Sequence, residues 1–147
     1  MRLRLKNVPI PEAHLGSVVL GAILQRAFPR RLFRAAWIGL LLGWPLILLG
    51  AGLSLWAARE AGEMDVSSPD ALLTEGPYAA SRNPMYVGWT LMQAGISFIK
   101  NTIWPLALLP PVIAYTHRFE IREEEEFLER KFGDEYLAYK HRVPRYF

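Results

Sequence analysis

The chain has no cysteine. A disulfide framework, a thiolate metal site and a cysteine nucleophile are therefore excluded. Histidine is nearly as scarce: His14, His117 and His141 stand far apart and no His-Glu-x-x-His spacing occurs, so no metal centre is expected. No run alternates as a half-buried strand would, and no glycine-rich loop follows one. Internal repeats and low-complexity segments are lacking too. The net charge of +3 is spread over the flanks of apolar runs, where basic residues meet anionic headgroups, and not gathered into a nucleic-acid stripe.

Charge is also missing where it matters for fold class. Ala35 to Ala58 is a run of 24 residues without Asp, Glu, Lys or Arg. About 20 such residues span a hydrocarbon core as a helix, so 35–58 reads as a transmembrane segment. Asn83 to Thr116 holds one charge, Lys100, beside Asn101. It reads as two apolar helices of roughly 16 residues joined by a tight polar turn, each covering roughly 24 Å at about 1.5 Å per residue. Such helices span a thinned membrane or tilt into one leaflet. The segment 8–28, with Glu12 and His14 inside it, is a short spanning or interfacial helix. No small-residue cleavage site follows it, so it is expected to stay in the mature protein. The predicted architecture is a single all-α polytopic membrane domain over 1–147. About four membrane helices, of which 8–28 and 35–58 are scaffold, precede a C-terminal cytosolic amphipathic helix.

With four spans, the N-terminus, the 59–82 loop and the C-terminal tail share one side. That side holds 12 basic residues, among them Arg2, Arg4, Lys6, Arg59 and Arg82, against 5 on the other side. The positive-inside rule places it in the cytoplasm. Gly39 and Gly43 lie four apart, on one face of the second helix, and allow close helix approach. Gly50-Ala51-Gly52 is a weaker candidate for backbone approach to a ligand. Pro45 is expected to bend the helix, and Trp37, Trp44 and Trp56 suit interfacial or packing positions.

Two polar clusters carry the chemistry. The first, Leu73 to Gly88, is dense in Gly, Pro, Tyr, Arg and Asn, and such a concentration in a loop points to a site more than to a core. Ser67-Ser68-Pro69-Asp70 is a turn ahead of it, and Gly76-Pro77 breaks the chain again. Asn83-Pro84 reads as an N-cap followed by proline at the first helical position, so that the amides and dipole of the next helix face the loop and suit a carboxylate. The second cluster opens with Glu123-Glu124-Glu125-Glu126, on a helix over His117 to Lys131 that Gly133 ends. Arg118, Arg122, Glu126 and Arg130 fall on an i, i+4 ladder. Carboxylates there suit a cation or a ribose diol, while Tyr78, Tyr86, Tyr136 and Tyr139 offer stacking and hydroxyls.

The order Gly-Pro-Tyr, Arg-Asn-Pro-Met-Tyr-Val-Gly, then Glu-Glu-x-x-Leu-x-x-x-Phe-Gly-x-x-Tyr-x-x-Tyr-x-x-x-Val-Pro resembles the isoprenylcysteine carboxyl methyltransferases, part of a wider set of integral-membrane methyltransferases that includes phospholipid methyltransferases. The resemblance covers 72–145. It implies a pocket for S-adenosylmethionine contacted by Leu72, Leu73, Tyr78, Asn83, Pro84, Met85, Tyr86 and Glu124, with Glu125 completing the paired carboxylates. It implies methyl transfer to a lipidic or small membrane-associated acceptor. Arg82 and Arg122 are this chain's own candidates for steering the acceptor's anionic group. Two positions depart from the family pattern. Asn83 stands where the family usually has histidine, and Glu120, between Arg118 and Arg122, stands where members that methylate a prenylcysteine carboxylate carry arginine. Two alternatives compete: an NADPH-dependent membrane sterol or steroid reductase, whose C-terminal half has similar motifs, and a non-catalytic membrane protein.

Overall fold

The computed structural model describes residues 11–62 and 69–147, and among them only helices and turns occur. Arg2, Arg4 and Lys6, the first residues of the 8–28 segment and the Ser67-Ser68 half of the expected turn lie outside the described residues. Helix α1 runs Glu12–Ala27 and α2 runs Ala36–Ala61. After a short 3-10 turn at Gly76–Ala79 come α3 (Pro84–Ile99), α4 (Trp104–Ala107) and α5 (Leu109–Tyr115). The chain then widens into a π-helical turn over Thr116–Glu120, narrows again into α6 (Ile121–Phe132) and closes with α7 (Asp134–Arg142).

Among the described residues α2 is the one helix long and apolar enough to cross a membrane, with a mean hydropathy of 2.0 over its best window. It passes through Pro45 and extends three residues beyond Ala58. Trp37, Trp44 and Trp56 project outward, each more than half exposed. Helices α1 and α3 have 16 residues each, short of the roughly 20 that cross a bilayer core. The last apolar stretch departs from expectation. It is two short helices rather than one of about 16 residues, because Pro105 lies in the first turn of α4 and Pro110 and Pro111 in that of α5, and proline brings no N–H to the helical ladder.

Helices α2 and α3 form the frame, and their glycines let the backbones touch. A methyl on Gly39 would collide with the Phe98 carbonyl oxygen; one on Gly43 would lie 2.7 Å from the Gly95 oxygen, and one on Gly50 2.5 Å from the Gly88 oxygen. Gly50 is thus occupied by helix packing, not by a ligand. Because α3 begins at the candidate site, this seam fixes where the site's backbone lies. Gly43→Val is expected to cost about 2–3 kcal/mol through overpacking. Thermal unfolding in nanodiscs would show it, while Gly52→Ala, whose new methyl meets nothing within 4 Å, should be silent.

The two ends of the bundle are stitched differently. At one end Asn101, with φ +48°, turns the chain between α3 and α4. Its Oδ1 accepts from the Leu32 and Phe33 amides at 3.1 and 2.8 Å, and its Nδ2 donates to the Phe33 carbonyl at 3.0 Å. Trp104 Nε1 donates to the Phe28 carbonyl nearby at 2.7 Å. At the other end the C-terminal segment folds back on the 69–83 loop. The Arg82 amide donates to the Pro144 carbonyl at 3.0 Å, and Tyr136, Tyr139 and Val143 form a buried cluster against Leu72, Leu128 and Phe132.

Candidate functional site

The second end brings the two polar clusters together. Gly76, at φ +56°, turns the chain so that Pro77 is buried and Tyr78 meets α7, where the Tyr139 hydroxyl donates to the Tyr78 carbonyl at 2.7 Å. Asn83 precedes Pro84 at the start of α3 as expected, but its side chain does not cap the helix. The nearby C-terminal carbonyl takes it instead: Asn83 Nδ2 and Ser81 Oγ both donate to the Arg145 carbonyl at 3.2 Å.

Neighbouring residues on a helix point about 100° apart, so adjacent glutamates cannot share a task. Glu125 turns inward. It is 7% exposed and lies between two guanidiniums, Arg82 Nη1 at 2.8 Å and Arg145, whose Nε and Nη2 meet its two oxygens at 2.9 and 2.5 Å. Arg82 also donates to the Tyr136 hydroxyl at 3.2 Å. One carboxylate therefore ties together the loop, α6, α7 and the C-terminal segment. The side chain of Arg82 is 10% exposed, and its Nε is buried without a partner.

Glu124 turns the other way and lines two small clefts that adjoin it. The first, about 60 Å³, is walled by Leu72, Leu73, Tyr78, Arg82, Leu128 and Tyr139; the second, about 30 Å³, by Tyr78, Arg82, Asn83, Pro84, Met85 and Tyr86. Glu124 is exposed as a residue, but its carboxyl is crowded by protein atoms beside these clefts. That desolvation, then the charges of Glu125 and Glu120, pushes its pKa up to about 7. Desolvation likewise raises the Tyr78 hydroxyl, with Glu124 adding to it, and brings Tyr139 to about 12.

Leu72, Leu73, Tyr78, Arg82, Asn83, Pro84, Met85, Tyr86 and Glu124 thus gather around the clefts. Glu125 and Arg122 do not. Glu125 is consumed by the ion pairs, and Arg122 stands on the outer face of α6, its side chain 71% exposed and paired with Glu126 at 2.9 Å. Arg122 shares an open groove with His117, Arg118 and Arg145. Sequence reasoning missed Arg145, whose only signal was its place beside the Val143-Pro144 motif. It also missed an apolar cavity of about 260 Å³ lined by Tyr86, Thr90 and Leu91 of α3, with His14, Ile113 and Thr116. Tyr86 belongs to both this cavity and the second cleft.

The family model of phospholipid methyltransferases matches residues 38–135. Protein-S-isoprenylcysteine O-methyltransferase of Xenopus laevis is 34% identical over 117 residues, which cover 74% of this chain and 40% of that protein. Its namesake in Homo sapiens is 32% identical over 129 residues, covering 82% and 45%. The chain therefore spans less than half the length of these curated relatives.

Proposed function

This chain belongs to the phospholipid methyltransferase family, and on that premise we propose that it transfers a methyl group from S-adenosylmethionine to a lipidic or small membrane-associated acceptor. The observation that carries the reading is the convergence of the loop, the start of α3 and Glu124 of α6 on two adjoining clefts. The residues suit that cofactor chemically. Glu124 presents a carboxylate to a cation or a ribose diol, Leu72 and Leu73 an apolar wall, and Tyr78 an aromatic face. The orphaned Arg82 Nε and the uncapped N-terminus of α3 favour a carboxylate. The clefts are narrower than the roughly 300 Å³ at which ligand pockets begin, so binding requires the 69–78 loop to ease away from α6.

When bound, the cofactor supplies a sulfonium methyl already activated for in-line displacement. The chain's part is alignment and the exclusion of water. Glu124 holds the charge, Glu125 with Arg82 and Arg145 holds Glu124's helix against the loop, and Tyr86 stands between clefts and cavity. An acceptor entering between α3 and α5 would meet the cofactor at Tyr86. Arg122 lies outside clefts and cavity, and its part is confined to attracting anionic headgroups around the outer groove.

Four passes through the membrane (α1, α2, α3 and α4–α5) account for the two stitched ends, with the thin spans meeting a thinned or deformed bilayer. With that arrangement the charge asymmetry supports a cytoplasmic site. The reductase and the non-catalytic alternatives draw no support from these relatives. Incubating the purified protein with membrane extracts and methyl-labelled cofactor, then analysing lipids and small molecules by mass spectrometry, tests the reading; no labelled product from any extract would refute it. Leu91→Trp, which fills the cavity, is expected to lower transfer at least about tenfold while leaving S-adenosylhomocysteine binding intact, since a misplaced acceptor costs orders of magnitude.

A further inference from the structure

One stripe of helix changes character where the chain leaves the apolar bundle. Pro110, Ile113, Ala114, His117 and Arg118 follow an i, i+3, i+4, i+7, i+8 pattern, and with Arg122 and Arg145 they wall an open groove of about 730 Å³. The α5 end of this groove is apolar. Its other end, through the π-turn and the start of α6, is cationic. The stripe and Arg122 are exposed throughout. On the neighbouring face Tyr115 and Phe119 also stand exposed, their ring centres 5.2 Å apart. Amphipathic aromatic rings gather at the headgroup level of a bilayer, so the change from apolar to cationic falls at the membrane surface.

The charges set what the cationic end takes. Arg145 is spent on Glu125, and Arg122 gives its Nε to Glu126. Arg118 forms no ion pair among the described residues, and no Asp or Glu lines the groove. One guanidinium is thus left without a counter-charge. Glu123 and Glu126 border Arg118 and Arg122 on the outer side and repel a second negative charge. We propose that the groove holds one phospholipid of the surrounding bilayer with a singly charged phosphodiester head. Its phosphate lies between Arg118 and Arg122, and an acyl chain follows Pro110, Ile113 and Ala114. The proposal deepens the headgroup attraction assigned above to Arg122; it rests on the membrane placement of α5 and not on methyl transfer. A soluble phosphate would use only the cationic end, and an uncharged apolar molecule only the other. A zwitterionic head carries its own cation, which competes with Arg118 for the phosphate. This lipid is not the methyl acceptor, because the groove shares no residue with the two clefts around Glu124.

The test titrates the full chain, in an uncharged detergent, with dioleoyl phosphatidylglycerol and with dioleoyl phosphatidylcholine, and counts bound lipids by native mass spectrometry. One phosphatidylglycerol should bind saturably, about tenfold tighter than phosphatidylcholine. Arg118→Gln combined with Arg122→Gln, both at exposed positions, should erase that preference. Arg130→Gln combined with Lys131→Gln removes the same charge from the last turn of α6 and should keep it. Glycerophosphoglycerol, the same head without chains, should not displace the lipid at equal concentration. Equal binding of the two lipids, an equal loss in both double variants, or displacement by the soluble head overturns the proposal. S-adenosylhomocysteine binding, measured on the same samples, keeps the two readings apart. Its absence with lipid selectivity intact would sink methyl transfer and leave the lipid site standing; its presence without lipid selectivity would sink this proposal alone.

Discussion

Replacing Arg82 by methionine is expected to lower the melting temperature by about 10 °C and to abolish measurable S-adenosylhomocysteine binding. Glu125 is buried between Arg82 and Arg145. Removing one partner of a buried ion pair costs about 3–5 kcal/mol, because the remaining charge stays desolvated. Arg145 still faces Glu125 after the change, so the low end applies, and in a chain of this size about 3 kcal/mol corresponds to roughly 10 °C. Binding fails for a separate reason: the loop, α6 and α7 meet through this guanidinium, and Glu124 loses its position when they separate. Arg82→Lys keeps the charge without the fork and should fall between. If Arg82 were instead a solvated interfacial arginine, Arg82→Met would shift melting by no more than a degree or two, and thermal unfolding in nanodiscs decides between these outcomes.

Glu124→Gln is expected to weaken S-adenosylhomocysteine and S-adenosylmethionine alike and to erase a pH dependence that the native site should have. Desolvation, then the charges of Glu125 and Glu120, push the Glu124 carboxyl up from 4.5 to about 7. A cation binds the ionised form. Only about a tenth of the sites are ionised at pH 6 and about nine-tenths at pH 8, so affinity for the sulfonium cofactor should rise about tenfold across that interval. Stability moves the other way. A raised pKa means the folded state holds a proton that the unfolded chain has released, so the contribution is full below 4.5 and lost as pH rises through about 7. The ligand-free protein should melt lower at pH 8 than at pH 5.5, and the ligand-induced rise should be larger at pH 8. Both trends should be flat in Glu124→Gln. Calorimetry and melting over this range measure them, and a native affinity that does not change with pH contradicts the assignment.

Much of this site was legible because it rests on local chemistry. Gly76-Pro77 and Asn83-Pro84 break the chain through their own backbone limits, and both breaks occur where they were expected. Gly133, at φ +54°, ends α6 for the same kind of reason. The Gly39 and Gly43 face followed from helical periodicity, and the close backbone approach to Phe98, Gly95 and Ile99 is its consequence. What depended on rotation about a helix or on distant pairing was not legible. Four consecutive glutamates do not say which faces the clefts, and the π-turn that sets the phase of α6 has no local signature. Asn83 looked like a cap until the Arg145 carbonyl, 62 residues away, took its amide. Polar residues inside apolar runs, His14 and Thr90, were the available sign of the cavity, but a sequence does not show that they face each other.

The central claim is that the Gly-Pro-Tyr loop and the Glu124 helix are two walls of one cofactor pocket. Hydrogen–deuterium exchange with and without S-adenosylhomocysteine, at pH 8 in nanodiscs, tests it most directly. Exchange should slow together in 72–86 and in α6 around Glu124, with α2 unchanged and with NADPH producing no effect. Protection confined to one of the two segments, or produced by NADPH instead, would contradict it.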